Sequence, residues 1–485
     1  MLSRFTLFLL CAICCAASLK AQEVRSVETQ DRLQASVLNI LGLPVSVTYD
    51  VQNYAITYTT TDLNGDSTIA SGLLSVPVNV APDLSFPLAV YNHGTANGDR
   101  NATVSRPNVQ ERLLPVVIAA SGYVTASPDY LGFGDNPGRH PYVHAATEAS
   151  AGRDMIIAVK KYLADRPDGL PNTNDQLFLT GYSQGGHATA ALHRDIETNP
   201  GDDGLDVTSA TYLSGPYSIS EVMVGTIFQD GNATLPGYIA YTYISYNLVY
   251  GLFDSLEQAF VPPYLEPIRQ FADQEITLDS FNAVLDTLLQ NNDARFSAIF
   301  QDSIREILRS GDPTHPINIA LADNDTYDWA PEDPTLIYYC TQDEQVPFRN
   351  AILADSVMRA NGSTTITLTN GGPLTHGGCV IPAMAETLRF WADQSSITSL
   401  GDPVARPDVR LFPNPVFAGQ TLRLRGLPGA PLPYLLYDVT GRLAASGLTE
   451  AGGQLSLPTG LRSGAYMLRL GIADGTSVVR RLIVR

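Results

Sequence analysis

Residues 177–186 read LFLTGYSQGG, and this stretch decides the fold. Its first four residues are apolar or β-branched, which is typical of a buried strand. The next five complete the pattern Gly-x-Ser-x-Gly around Ser183, and the residues that follow favour a helix. Glycines two positions before and after the serine allow a tight turn in which a side chain would clash. The stretch therefore predicts a strand, a sharp turn that exposes the Ser183 hydroxyl, and a helix.

Similar strands alternate with helices on both sides of this turn. Buried strands are predicted over residues 87–91, 124–128, 177–180, 210–213, 336–340 and 365–369. Asn64-Gly65 predicts a hairpin, and helices are predicted over Thr29–Leu41 and Thr147–Leu163. This alternation predicts an α/β fold with a mostly parallel sheet that is covered on both faces.

The alternation stops between about residues 219 and 334. Helices are predicted near Leu278–Gln290 and over Ala294–Arg309. The segment Tyr238–Tyr264 carries aromatic residues at intervals of three and four, as on one face of a helix. An insertion of this length usually has a function. It predicts a helical cap that lines a substrate cleft, with packing inside the cap alone as the alternative.

A serine hydroxyl becomes a nucleophile when a base takes its proton and a carboxylate orients that base. After a turn of this type, the acid and then the histidine follow the serine along the chain. His376 comes after the final strand, where a loop is expected to place a base. Asp343 comes directly after the preceding strand and is the predicted acid, with Glu344 as the alternative. Ser183, Asp343 and His376 are therefore the candidate catalytic residues.

When the serine attacks a carbonyl carbon, negative charge develops on the carbonyl oxygen. Two backbone N–H donors, together called an oxyanion hole, stabilise that charge. The N–H of Gln184, at the start of a helix, is the first candidate. Thr95 is the second, because Gly94 lets the backbone approach closely after the strand at 87–91. A structural turn at His93-Gly94 is the alternative.

The remaining histidines and acids are given structural interpretations. His187 is predicted to pack on its helix, and no spaced partner indicates metal binding by His140, His144 or His193. Surface charge or a weak cation site accounts for five acids: Asp323, Asp325, Asp328, Glu332 and Asp333. Neither a phosphate-binding glycine loop nor a Cys-x-x-Cys motif occurs, so no metal and no cofactor is predicted.

The N-terminus indicates export. Arg4 precedes the apolar run Phe5–Ala17, and small residues follow it, which predicts a signal peptide over residues 1–21 cleaved before Gln22. Cleavage near Ser18 is the alternative. After the predicted signal peptide, no segment has 18 uninterrupted apolar residues, so no transmembrane anchor is predicted.

Two cysteines remain after such cleavage. Cys340 and Cys379 form an even pair in an oxidising compartment, which predicts one disulfide, with two buried thiols as the alternative.

Charge and composition change near residue 400. Residues 22–407 carry a net charge of −26, whereas residues 408–485 carry +5. A body this acidic excludes nucleic-acid binding, which needs positive charge. A proline-containing linker over 401–407 separates a main domain, residues 22–400, from short alternating strands over 408–485 that predict a small β-sandwich.

Several motifs together resemble the α/β-hydrolase superfamily, and most of all its secretory lipase family, over about residues 40–395. They are His93-Gly94-Thr95, Pro128-Asp129-Tyr130-Leu131-Gly132, Gly181-Tyr182-Ser183-Gln184-Gly185-Gly186 and the pair Asp343 and His376. The resemblance implies a triad of Ser183, Asp343 and His376 and a helical cap that roofs an acyl-binding cleft. It also implies ester or lipid substrates.

The tail resembles the type A sorting domain of the bacterial type IX secretion system. The matching pieces are Phe412-Pro413-Asn414-Pro415, the segments 436–442 and 464–466, and the final residues 481–485. The resemblance implies export through the periplasm and outer membrane to the cell surface or medium, with the secretion machinery as partner. A generic β-sandwich adhesion module is the alternative.

These features predict an exported serine hydrolase that cleaves carboxylic esters through an acyl-enzyme. A serine peptidase of the same fold is the enzymatic alternative, since the same triad cleaves amides. The sequence shows neither an extra N-terminal propeller domain nor an acidic pair placed to bind a free amine, which favours the ester. A non-catalytic binding module on a hydrolase fold is the other alternative.

Overall fold

The computed structural model describes residues 22–41, 44–81, 83–96, 101–107, 109–165, 169–201, 203–228, 235–399, 410–425, 431–438, 442–450, 453–471 and 477–485. The predicted signal peptide and linker lie outside these ranges. The chain divides into two compact units, residues 1–399 and 400–485.

A ten-stranded sheet forms the centre of the first unit. Its strands are β1 (Val24–Leu33), β2 (Asp50–Thr61), β3 (Ser67–Val78), β4 (Leu84–Asn92), β5 (Val124–Pro128), β6 (Asn172–Tyr182), β7 (Ser209–Leu213), β8 (Thr335–Tyr339), β9 (Ile366–Asn370) and β10 (Thr398–Ser399). Their order is β1-β2-β3-β5-β4-β6-β7-β8-β9, with β10 beside β4. The five pairings from β5 to β9 are parallel and the others are antiparallel. The predicted α/β class with a mostly parallel sheet is confirmed.

Twelve α-helices accompany the sheet in the described part of this unit. They are α1 (Ala35–Ile40), α2 (Leu113–Ala120), α3 (Ala145–Ala164), α4 (Gln184–Thr198), α5 (Val224–Ile227), α6 (Gly237–Tyr250), α7 (Leu265–Ala272), α8 (Leu278–Asn291), α9 (Asp302–Ser310), α10 (Pro316–Asp323), α11 (Arg349–Ala360) and α12 (His376–Ala392).

Alternating side chains on β6 bind helices to both faces of the sheet. Leu177 and Leu179 belong to a core cluster shared with α3, α4 and α11, whereas Phe178 packs with Trp391 of α12 and with α2. Successive strand residues point to opposite faces, so an unbroken apolar run such as 177–179 needs helices on both. Burial of each large apolar side chain contributes about 1.5–3 kcal/mol.

The helix predicted over Thr29–Leu41 is wrong for its first half. Residues Val24–Leu33 form β1, antiparallel to β2, and only Ala35–Ile40 is helical. Register shifts between Val24 and Ser26 and between Thr29 and Arg32 leave every third residue of β1 partly buried. That spacing imitates a helical pattern, whereas the free edge of β2 decides the structure by supplying hydrogen-bond partners.

The insertion lies between β7 and β8 and holds α5–α10. Its aromatic and aliphatic side chains form their own core, which includes Tyr246, Phe260, Phe281 and Phe300. The helix predicted over Ala294–Arg309 is wrong, because extended backbone at Phe300 separates a 3₁₀ turn from α9. Phe300 forms a β-bridge with Phe260, and this pairing interrupts the helix.

The second unit contains two small antiparallel sheets. Its strands are β11 (Arg410–Phe412), β12 (Thr421–Arg425), β13 (Pro433–Asp438), β14 (Leu443–Leu448), β15 (Gln454–Ser456), β16 (Gly464–Gly471) and β17 (Ser477–Val484). The orders are β11-β12-β15 and β14-β13-β16-β17. Leu422, Leu436, Leu468 and Leu482 are fully buried in a core of this unit.

Among the described residues, no helix is both long enough and apolar enough to cross a membrane.

A disulfide joins Cys340, directly after β8, to Cys379 in α12. Both cysteines are fully buried. The bridge closes a loop with a sequence separation of 39 residues and ties the end of β8, the strand next to the edge strand β9, to α12.

We expect the double substitution Cys340→Ala and Cys379→Ala to lower the free energy of unfolding by about 2–4 kcal/mol, because the unfolded chain regains the freedom of the open loop. Urea titration followed by tryptophan fluorescence measures the change. Dithiothreitol should shift the wild-type transition towards that of the variant and leave the variant unchanged. Two free thiols in the denatured, unreduced protein would contradict the bridge.

Candidate active site

The turn between β6 and α4 holds Ser183 in a rare backbone conformation. Its φ is 59° and its ψ is −120°, in a region that residues with side chains seldom adopt. The Ser183 N–H donates to the carbonyl of Leu213 on β7 at 2.9 Å, which fixes the turn to the neighbouring strand. Ser183 remains partly exposed among buried neighbours.

The two glycines of the motif are required by space. A Cβ on Gly185 would lie 1.9 Å from the carbonyl oxygen of Asn92, and one on Gly181 would lie 2.2 Å from the carbonyl oxygen of Gly185. Both contacts are with backbone atoms, which cannot rotate away. The end of β4 and the start of α4 therefore touch without any side chain between them.

His376 and Asp343 form a buried pair. His376 Nδ1 lies 2.7 Å from Asp343 Oδ2, and the two side chains are 8% and 1% exposed. The other oxygen, Oδ1, accepts from the backbone N–H groups of Gln345 at 3.1 Å and Val346 at 2.8 Å. The carboxylate is thus held on both sides. A proton on Nδ1 donates to it and leaves Nε2 free to accept another.

The sequence predicted that His376 would lie on a loop. This prediction is wrong, because His376 is the first residue of α12. Thr375 caps the helix, since its hydroxyl accepts from the N–H of Gly378 at 3.2 Å.

Glu344, the alternative acid, contacts the backbone of His376 and not its ring. Its Oε2 accepts from the His376 N–H at 3.0 Å. Burial acts to raise the pKa of Glu344, but hydrogen bonds from the His376 N–H and from its own N–H outweigh it and hold the pKa below its ordinary value. Asp343 orients the imidazole, while Glu344 fixes the start of the helix that carries it.

Tyr182 connects the serine turn to the histidine. Its hydroxyl donates to the carbonyl of His376 at 2.6 Å, and the two rings lie 5.1 Å apart. Burial raises the pKa of Tyr182, so the hydroxyl stays protonated and remains a donor. Because Tyr182 precedes Ser183 directly, this bond brings His376 to the serine turn. Sequence reasoning missed this residue, although its position inside the motif was a signal.

The two predicted oxyanion donors flank the same turn. Gln184 is the first residue of α4, so its N–H has no acceptor within the helix. The neighbouring loop is held by Glu111, which accepts from the N–H of Gly94 at 2.5 Å. Among the described residues, no acceptor takes the N–H of Thr95, while its hydroxyl pairs with that of Tyr142 at 3.0 Å.

A buried polar network lies behind the turn. The side-chain amide of Gln184 donates to Glu148 Oε1 at 2.7 Å and to His140 Nε2 at 2.8 Å. Burial lowers the pKa of His140 to about 3, which keeps the ring neutral, with Nδ1 donating to the carbonyl of Leu131. His187 is buried, as predicted, and contacts Glu148 Oε2 at 2.7 Å. Glu148 is a residue that the sequence analysis missed, because only the packing of α3 on α4 brings it here.

Ser183, Gln184 and Asp343 open onto a cavity of about 420 Å³. The cap supplies most of its apolar walls: Ile219, Met223, Val224, Ile227, Leu235, Tyr238, Ile239 and Tyr243. Other aromatic residues of α6, such as Tyr246, pack in the core of the cap. The tyrosine-rich segment therefore serves both as wall and as core.

The strand order, the serine turn and the acid–histidine pair define an α/β-hydrolase-like fold. No family model matches the sequence, and no curated protein matches it. Solved structures do match.

A protein from Legionella pneumophila, described as a hydrolase, is 28% identical in sequence, with a TM-score of 0.68. The match covers 76% of this chain and 98% of the Legionella chain. The rice cell wall degrading esterase LipA from Xanthomonas oryzae is 23% identical with a TM-score of 0.65 and covers 77% and 98%. Lipase A of Candida antarctica is 15% identical with a TM-score of 0.56 and covers 79% and 85%. At the identities of the last two, the similarity establishes the fold alone.

Proposed function

We propose that this protein is a serine hydrolase that cleaves carboxylic esters, with Ser183 as nucleophile, His376 as base and Asp343 as the acid that orients it. The observation that carries the proposal is the 2.7 Å contact between His376 and Asp343, tied through Tyr182 to a serine held at positive φ. Nucleophile, base and orienting acid in one place are the parts that acyl transfer needs.

The reaction follows from these positions. Ser183 Oγ attacks the ester carbonyl carbon while His376 Nε2 takes the hydroxyl proton, and the backbone N–H groups of Gln184 and Thr95 stabilise the oxyanion. His376 then returns the proton to the alkoxide that leaves, and an acyl-enzyme remains on Ser183. Water, deprotonated by His376, attacks the acyl carbon; the bond from that carbon to Ser183 Oγ then breaks, His376 returns the proton to Oγ, and the carboxylic acid departs.

The cavity favours an ester with an apolar acyl chain. Its cap side is lined by aliphatic and aromatic side chains, and a volume of about 420 Å³ has room for such a chain. The esterase and lipase with the same fold act on esters by their names, which supports the same bond type here.

Replacement of Ser183 by Ala tests the proposal. We expect ester hydrolysis to fall by about 10⁴-fold or more, because acylation is lost and only binding and oxyanion stabilisation remain. The measurement uses a panel of nitrophenyl esters and aminoacyl anilides, together with labelling by a fluorophosphonate probe. Ser150→Ala is the matched control, since Ser150 lies on α3 and its hydroxyl, among the described residues, donates to the carbonyl of Thr147 and to no catalytic candidate. Turnover of Ser183→Ala within a few-fold of wild type would refute the assignment, and faster cleavage of anilides than of esters would favour a peptidase.

The two neighbouring acids should respond differently to neutralisation. We expect Asp343→Asn to lower kcat by about 10³–10⁴-fold, since the amide no longer holds the ring in the required tautomer. Glu344→Gln keeps an acceptor for the His376 N–H and should cost less than about tenfold. Steady-state kinetics on one nitrophenyl ester compares the two variants. A larger loss in Glu344→Gln would assign the acid role to Glu344.

We also propose that the protein is exported. Residues 1–21 would act as signal peptide and residues 408–485 as a sorting domain for the type IX machinery, which would deliver the protein to the cell surface or medium. Support comes from the sequence motifs and from the separate core of the second unit, where Leu436 and Leu468 are fully buried. The candidate catalytic residues all lie within residues 1–399.

Removal of the tail separates the two roles. A truncated chain of residues 22–402 should fold and hydrolyse esters with unchanged kcat and KM, because the proposed triad and oxyanion donors are retained. In a host with the type IX machinery, a chain that ends at residue 402 but keeps the signal peptide should accumulate in the periplasm. Cell fractionation and activity assays measure both outcomes. Truncated enzyme in the culture medium would contradict the sorting role.

A further inference from the structure

Three side chains with metal-binding atoms meet at the C-terminal end of α4, the opposite end of that helix from Ser183. They are His193, Glu197 and Asp333, called here the His193 cluster, and their ligand atoms all lie within 4.8 Å of one another. The His193 side chain is fully buried, whereas those of Glu197 and Asp333 are 15% and 28% exposed. Solvent can therefore reach the cluster from the carboxylate side.

The position of the histidine nitrogen does not suit a hydrogen bond. Glu197 Oε1 lies 2.7 Å and Asp333 Oδ2 lies 3.8 Å from His193 Nε2. Even so, this buried nitrogen forms no hydrogen bond of standard geometry among the described residues, although both carboxylates interact with it through their charge. The nearer oxygen thus lies off the axis of the ring nitrogen. When a histidine nitrogen binds a metal ion, the ion lies on the axis of the nitrogen lone pair. The oxygen atoms of the other ligands then lie off that axis, at about 3 Å from the nitrogen.

The two carboxylates of the His193 cluster also favour a bound cation. Within the described chain, no Lys or Arg forms an ion pair with Glu197 or Asp333. Arg194, the nearest basic residue in the helix, donates instead to the carbonyl of Asp325 at 2.7 Å. Two ionised carboxylates that face each other repel, and either a proton shared between Glu197 and Asp333 or a divalent cation between them removes that repulsion.

Contacts around the His193 cluster already fix the orientation of its members. The Tyr212 hydroxyl lies 2.6 Å from His193 Nδ1, and the ring of Trp329 packs edge-on at 5.1 Å. The N–H of Glu332 donates to both carboxylate oxygens of Glu197, to Oε2 at 3.1 Å and to Oε1 at 3.4 Å, and Oε1 also lies beside His193. Ligands of metal ions are typically held by such outer contacts.

We propose that the His193 cluster binds one divalent transition-metal cation, of which Zn²⁺ is the representative, with water completing its coordination. An imidazole nitrogen with two carboxylates suits this class, whereas Ca²⁺ and Mg²⁺ prefer oxygen ligands alone. The ion would join α4 to the segment before β8, where the chain returns from the cap to the sheet. Its role is to stabilise the fold around the helix that begins at the serine turn.

Zn²⁺ titration of the chelator-treated full chain tests the site. Calorimetry should show one equivalent bound, and Tm should rise with added Zn²⁺, because the folded state alone presents the three ligands together. Ca²⁺ at the same concentration should leave Tm unchanged. Neither measurement needs a substrate, so the result is independent of the proposed ester hydrolysis.

Substitutions locate the ion. Glu197→Gln and Asp333→Asn keep the size of each side chain and should weaken Zn²⁺ binding at least tenfold. Glu332→Gln is the matched control, since this exposed neighbour contacts the cluster only through its backbone, and it should bind Zn²⁺ like the wild type. The proposal is overturned if the wild type takes up no Zn²⁺, if Ca²⁺ binds more tightly, or if all three variants bind alike.

Discussion

The backbone contact between the end of β4 and the start of α4 is the constraint on which the site depends. With the Asn92 carbonyl 1.9 Å from the place of a Cβ on Gly185, the two segments can approach this closely only without a side chain. The strained conformation of Ser183 persists because both sides of the turn are held, by this contact and by the bond to Leu213. The same approach puts the loop of Thr95 next to the serine turn, so one packing detail positions the proposed nucleophile and the proposed oxyanion donors together.

Helix α4 has a histidine–carboxylate contact near each end, and the two differ in geometry. His376 meets Asp343 in a hydrogen bond whose carboxylate is also held by two backbone N–H groups, which leaves one ring nitrogen for chemistry. His193 meets Glu197 at the same 2.7 Å, but its nitrogen has no partner with hydrogen-bond geometry. A distance alone therefore does not show whether a histidine nitrogen and a carboxylate form a hydrogen bond, since the direction of the N–H or lone pair also decides it.

The cap is a second hydrophobic core that shares one wall with the cavity beside Ser183. Tyr246 and Phe281 are fully buried within it, while Tyr238 and Ile239 of the same region face the cavity. A close-packed core behind the wall supports the apolar side chains that line the cavity and keeps the space they enclose open. The 3₁₀ turn and the Phe260–Phe300 bridge bend the chain so that short helices can close this core.

The sequence by itself determined the strand–turn–helix at Ser183, the order of acid and histidine, and the alternation of strands and helices, because each depends on local pattern and on sterics within a few residues. Tertiary structure decided the rest. β1 looks helical until the open edge of β2 pairs with it, and α12 starts at His376 because Thr375 caps it. The sequence favours Asp343 and leaves Glu344 as the alternative acid, and only the folded chain shows that Asp343 contacts the ring of His376 and Glu344 its backbone. Asp333 lies beside His193 although 140 residues separate them, and no spacing along the chain encodes this proximity, since it arises only when α4 packs on the sheet that contains β8.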